Sequence, residues 1–262
     1  MELEGKNVLI TGGTRGIGKC MIQELIAKGV RRIAVIARDR EKLKELSQEF
    51  EEVKFLRITG DVADIEVLRE AAAKIEDKWG YLDILINNAG IVSAGPLEDI
   101  EDEELYDQVA VNLTAVLLLT KYCLPLLKSS TEGAILNVSS GLGLIGMPFY
   151  TIYGSTKAAI RQFSDSLRRE LAPDKISVTC VFPTATDTEM MSHFKGREMD
   201  SPEFVAKRAI EGMIKKEPHV IFGGEERLKD NVLNFESPEL FDAQIAKSYE
   251  QRKEASSGHK SL

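Results

Sequence analysis

Seven short apolar runs, separated by longer stretches with helical period, constrain this chain more than any other feature. Residues 7–10, 32–37, 53–58, 84–86, 134–138, 177–181 and 219–222 read as buried strands. Helices are expected near 17–28, 40–50, 64–79, 102–128, 153–171 and 203–216. Strand, helix and strand repeated in this way imply a parallel sheet with helices on both faces. Right-handed crossovers then favour a doubly wound α/β topology of about seven strands. The chain has no Pro/Gly/Ser-rich linker and no internal repeat, so residues 1–262 are expected to form one domain. Residues 255–262 are small, polar and charged, and are expected to fray.

Composition narrows the function classes. A formal charge of −8 with no basic tail makes nucleic acid a poor partner. Cys20, Cys123 and Cys180 lie far apart without a C-x-x-C pair and sit in apolar stretches, which reads as three buried small hydrophobes. No acidic or histidine cluster has metal-ligand spacing, so no metal is expected. The start of the chain lacks a basic, then apolar, leader, and the apolar stretch 109–127 is interrupted by Asn112, Thr114, Thr120 and Lys121. A membrane span is therefore not expected, and a cytoplasmic protein is. The acid-rich stretch 98–104 reads as a solvated helix start, favoured by the helix dipole.

Directly after the first strand comes Thr11-Gly12-Gly13-Thr14-Arg15-Gly16-Ile17-Gly18, opening into a helix. Glycines there allow a sharp turn and the approach of a pyrophosphate to main-chain N–H groups at a helix N-terminus. This is the dinucleotide-binding device of a Rossmann-type sheet, although its spacing is G-x-x-x-G-x-G rather than G-x-G-x-x-G. The second strand ends in Ala37-Arg38, where an NAD enzyme places an acid on the ribose 2′-hydroxyl. Arg38, helped by Arg15 in the glycine turn, instead suits a 2′-phosphate, so NADP is the expected cofactor despite the adjacent Asp39.

Three further segments accompany the glycine turn: Asn87-Asn88-Ala89-Gly90, Asn137-Val138-Ser139-Ser140 and Tyr153-x-x-x-Lys157. In this order, from about residue 5 to about residue 222, they resemble the compact, non-extended branch of the short-chain dehydrogenase/reductase family. The resemblance implies that Asn88, Ala89 and Gly90 border the cofactor and that Asp61 and Val62 flank its adenine. It selects Ser140, thirteen positions before Tyr153, to polarise a carbonyl, leaving Ser139 to pack at the strand end. Asn112 matches the asparagine of a proton relay that reaches Lys157 through a water. Pro183 and Thr188 match contacts to the nicotinamide end, but Thr184 stands where the family has glycine. A homo-oligomer, dimer or tetramer, is also implied, with the helices near 102–128 and 153–171 as interface.

The chemistry is consistent with the residues. Hydride transfer to a carbonyl needs a proton donor at the oxygen, and a phenol with a pKa of ~10 needs help near neutrality. Lys157 lies one helical turn after Tyr153, on the same face, where its charge, with that of an oxidised nicotinamide, would lower the phenol's pKa and its ammonium could hold the nicotinamide ribose. Tyr150 has Gly154 at that position, which argues against it as the acid. Leu142, Leu144, Ile145, Met147 and Phe149, with Met190, Met191, His193, Phe194 and Met199 in a substrate loop of about 184–204, are candidates for an apolar pocket wall or for sheet covering. The expected function is an NADP-dependent interconversion of a carbonyl and a secondary alcohol on a small, partly apolar molecule. The alternative is a nucleotide-binding regulatory or scaffold protein without turnover.

Overall fold

The computed structural model describes residues 1–192 and 198–260. The strands are β1 (Asn7–Thr11), β2 (Arg32–Ala37), β3 (Lys54–Thr59), β4 (Ile84–Asn87), β5 (Gly133–Val138), β6 (Ile176–Phe182) and β7 (His219–Ile221). They form one sheet of order β3-β2-β1-β4-β5-β6-β7, and every pair is parallel. The order reverses between β1 and β4, and a doubly wound sheet opens a crevice for ligands at the strands' carboxyl ends there.

The connecting helices are α1 (Gly16–Ala27), α2 (Arg40–Glu49), α3 (Ile65–Trp79), α4 (Asp102–Val109), α5 (Ala115–Lys128), α6 (Thr151–Glu170) and α7 (Pro202–Ile214). Met21, Ile22 and Leu25 of α1, Leu43 and Leu46 of α2, and Val205 and Ile210 of α7 pack on one face against Val8, Ile10, Val35 and Leu136. Leu68 and Ile75 of α3, Leu119 and Leu127 of α5, and Leu167 of α6 cover the other face over Leu9, Leu85 and Ile135. Cys20, Cys123 and Cys180 are buried, and burial pushes their thiols up to about 11, 12 and 12, so they behave as inert hydrophobes.

Two sequence expectations need correction. First, the chain after β7 is helical: α8 (Gly224–Glu236), α9 (Pro238–Ala246) and α10 (Tyr249–Ser256) follow, and no helix was expected there. Their apolar residues are few and several stay exposed, Phe235 at 88%, so no buried stripe announces them.

Second, the tail docks as far as Lys260 instead of fraying. The His259 carbonyl accepts the Ala94 N–H at 3.1 Å, its Nε2–H donates to the Met190 carbonyl at 2.9 Å, and Lys260 pairs with Glu104. Hydrogen bonds rather than apolar burial hold it, and polarity alone did not reveal them.

The helical run Asp102–Lys128 is, by length and composition alone, long and apolar enough to cross a membrane. Its apolar residues are in part core residues against the sheet, and a π turn (Ala110–Thr114) interrupts it at Asn112.

Gly18 shows how tightly the first crossover is packed. A Cβ there would lie 2.3 Å from the Gly12 carbonyl oxygen and 2.5 Å from Asn88 Nδ2. Gly18→Ala is therefore expected to cost ~1–3 kcal/mol in urea denaturation. An unchanged midpoint would mean that the turn is loose.

Candidate active site

The carboxyl ends of β1, β4, β5 and β6 surround a cleft of about 590 Å³. Its first wall is the glycine turn. Gly12 and Gly16 have φ of +67° and +51°, and a Cβ on Gly12 would meet Ala89 Cα at 3.0 Å. These positions require glycine, and the space they leave is the cradle a pyrophosphate needs. Asn88 Nδ2 donates to the carbonyls of Thr11 and Gly12, both at 3.1 Å, and Thr11 Oγ1 accepts the N–H groups of Asn88 and Ala89, both at 3.0 Å. Asn88, Ala89 and Gly90 therefore border the cleft while fastening β4 to the glycine turn. Thr14, Ile17, Val62 and Pro183 line it too, and Thr188 packs on Gly16.

The far end of the cleft carries Arg15, Arg38, Asp39, Lys42 and Asp61. Asp39, the residue that clouded the choice of cofactor, caps α2 by accepting the Lys42 N–H at 3.0 Å. Arg38 faces Asp61 at 3.8 Å and Arg15 pairs with Glu189, and all four side chains are well exposed. Such pairs are weak and leave both guanidiniums available to a bound phosphate. The residues at both ends thus fit a nicotinamide dinucleotide.

On the opposite side, the two serines separate. Ser139 is buried and donates to the Lys157 carbonyl at 2.7 Å, which locks the end of β5 to α6. Ser140 lines the cleft, accepts the Leu142 N–H at 3.2 Å and hydrogen-bonds Tyr153. Lys157 is 4% exposed, donates to the Val138 carbonyl at 3.1 Å and lies 5.7 Å from the centre of the Tyr153 ring.

Burial governs the electrostatics of both groups. Burial raises the Tyr153 phenol above its ordinary pKa, with only the Ser140 hydrogen bond opposing, and burial lowers Lys157 to about 8. Desolvation of the charged form is the largest cause of each shift.

Asn112 is fixed in place by its own hydrogen bonds. Its buried amide accepts from the Ile91 N–H and donates to the Ile91 carbonyl, both at 2.9 Å, and reaches Thr156 Oγ1 at 3.3 Å. The side chain thus holds the loop after β4 to α6. Asn112 and Lys157 both crowd Gly90, where a Cβ would lie 3.2 Å from Asn112 Oδ1 and 3.3 Å from Lys157 Nζ.

Thr184, in place of the family's glycine, bonds Asp200 through its hydroxyl, tying the segment after β6 to the start of α7. Among the expected pocket residues, Leu142, Met147, Met190 and Met191 line the cleft. Ile145 and Phe149 are buried, Phe149 against Tyr249 at 5.1 Å, and Leu144 packs by Ile160 and Phe182. Met199 does not line the cleft, and His193 and Phe194 lie outside the described residues. Sequence reasoning missed Arg227, Arg252 and His259, which line the cleft from the C-terminal segment; Tyr150, argued against as the acid, also lines it and pairs its hydroxyl with His259 Nδ1 at 2.9 Å. Among the described residues no His/Cys/Asp/Glu group could hold a metal.

The low pKa of Lys157 has a stability signature. The native state releases this proton near pH 8, whereas the unfolded chain keeps it to about 10.5. Across that window the unfolded state binds more protons, so the lysine's contribution to stability rises with pH, and below pH 8 the cost of burying the charge is fully present. The stability of the wild type relative to Lys157→Met, from urea denaturation of ligand-free protein, is expected to be flat below pH 8 and to rise above it. A difference independent of pH would overturn this.

Comparison with known proteins agrees with the geometry. Residues 6–198 match the short chain dehydrogenase family. A tropinone reductase homologue of Arabidopsis thaliana is 34% identical over 196 residues, covering 73% of this chain and 74% of the relative. A short chain dehydrogenase from Burkholderia cenocepacia, solved with NADP, superposes with a TM-score of 0.81 at 25% identity, covering 94% of this chain and 99% of that one. A 3-ketoacyl-(acyl-carrier-protein) reductase from Brucella melitensis, solved with NADH, gives 0.75 at 28% identity, covering 84% and 96%. With the family's motif residues gathered at the switch point of its sheet, this chain belongs to the short-chain dehydrogenase/reductase family of oxidoreductases.

Proposed function

We propose that the protein reduces a carbonyl to a secondary alcohol, reversibly, with NADP as cofactor. The convergence of Ser140, Tyr153 and Lys157 on the same cleft as the glycine turn carries this reading. Bound NADPH would supply the hydride. Ser140 hydrogen-bonds the substrate oxygen, and Tyr153 gives that oxygen its proton from the phenol. Lys157 places a positive charge beside the phenol, where it favours phenolate and return of the proton, and it orients the nicotinamide ribose. Asn112 is a positioning residue, holding the loop after β4 against α6. Arg15 and Arg38 favour NADP because a 2′-phosphate can replace their exposed carboxylate partners with a stronger, bidentate contact.

The reading extends to a cytoplasmic homo-oligomer joined through α4–α5 and α6. Tyr106 and Leu117, 72% and 37% exposed on the first pair, support that contact.

Tyr153→Phe is expected to lower the rate of NADPH oxidation by ~10²-fold or more. NADPH should still raise its melting temperature as in the wild type. Retention of full activity would remove the phenol from the mechanism, and absence of any carbonyl reduction by the wild type, with cofactor binding intact, would favour the silent scaffold. Arg38→Ala should weaken NADPH binding ~10-fold or more in calorimetry and leave NADH nearly unaffected. Equal loss for both would reject Arg38 as the selecting residue.

A further inference from the structure

Beyond the family's matched region, α8 reaches back over the substrate end of the cleft. Gly223 and Gly224, with φ of +89° and +62°, turn the chain after β7 so that Arg227, one turn into α8, faces the loop that follows β5. Its Nη2 lies 3.2 Å from where a Cβ on Gly141 would stand, directly beside Ser140. The side chain is half-buried and lines the cleft. Arg252 of α10 lines the same end, with Nη1 3.6 Å from Met147 Sδ.

The carboxylates lining the cleft are Asp39, Asp61 and Glu189. Asp39 caps α2, Asp61 faces Arg38 and Glu189 pairs with Arg15. No carboxylate among the described residues pairs with Arg227. A half-buried guanidinium beside the residue that polarises the carbonyl, in a chain of net charge −8, is a recognition element for an anion. The cofactor's phosphates do not account for it, because the glycine turn and Arg15/Arg38 serve them at the other end.

We propose that the substrate carries an anionic group, a carboxylate or phosphate, a few bonds from the reacting carbonyl, and that Arg227 binds it. This rests on the oxidoreductase reading for the carbonyl but not for the anion. It also revises the expected pocket, in which Leu142, Met147, Met190 and Met191 supply the apolar wall and Arg227 supplies the polarity.

The test measures NADPH oxidation with 2-, 3- and 4-oxo acids, their methyl esters and dihydroxyacetone phosphate. The proteins are the wild type, Arg227→Gln, Arg227→Lys and Lys229→Gln, the last removing an exposed charge from the same helix. An acid should be preferred to its ester, with KM for the acid raised ~10–100-fold in Arg227→Gln, partly rescued in Arg227→Lys and unchanged in Lys229→Gln. Preference for the phosphate over every acid, lost in the same way, would identify phosphate as the anion. Esters reduced as well as acids, or an Arg227→Gln defect that falls equally on both or on NADPH affinity, would overturn the proposal. In parallel, thermal shift of Tyr153→Phe with NADP⁺ and the same anions reads binding without turnover. Protection that depends on Arg227 without any reduction by the wild type would keep the anion site and reject the oxidoreductase reading. No protection by any anion would reject the site.

Discussion

The carboxyl ends of β1 and β4 are fastened together by Thr11 and Asn88, and the geometry of the cleft depends on that junction. The Thr11 hydroxyl accepts two backbone N–H groups from the loop after β4, and the Asn88 amide returns two bonds to the carbonyls of the glycine turn. Gly18 packs against the same carbonyl so closely that even a methyl group has no room. The turn is thereby fixed against β4, and the Gly12 N–H ties it to β2 through the Ile36 carbonyl at 2.9 Å.

A second constraint is the burial of Lys157. Its ammonium donates to the Val138 carbonyl, its own carbonyl accepts from Ser139, and its pKa falls to about 8 because little water reaches it. The protein spends folding stability to keep a charge beside Tyr153. Ser139, expected to pack at the strand end, fastens the end of β5 to Lys157, and Asn112 fastens the loop after β4.

The C-terminal helices complete the cleft. They bring Arg227, Arg252 and His259 to its lining, and His259 bridges Tyr150 and Met190 from a segment that reads as a loose polar end. The glycine turn and Arg38 from the first half of the chain thus line one end of the cleft, and Arg227 and Arg252 from its last third line the other.

The alternation of apolar runs with amphipathic stretches was enough to place all seven strands and the six expected helices, because burial on both faces leaves a period that local sequence carries. The glycine turn, Tyr153 and Lys157 were equally legible, since turn geometry and one-turn spacing are local properties. What needed tertiary structure was every feature set by distant partners. Asp39 became a helix cap and Ser139 a fastener for Lys157. The phenol rose and the lysine fell, because desolvation depends on what packs around a group and not on its neighbours in sequence. Arg227 lies 86 positions after Ser140's neighbour Gly141, and only the folding of α8 over the sheet brings its charge to the reacting centre.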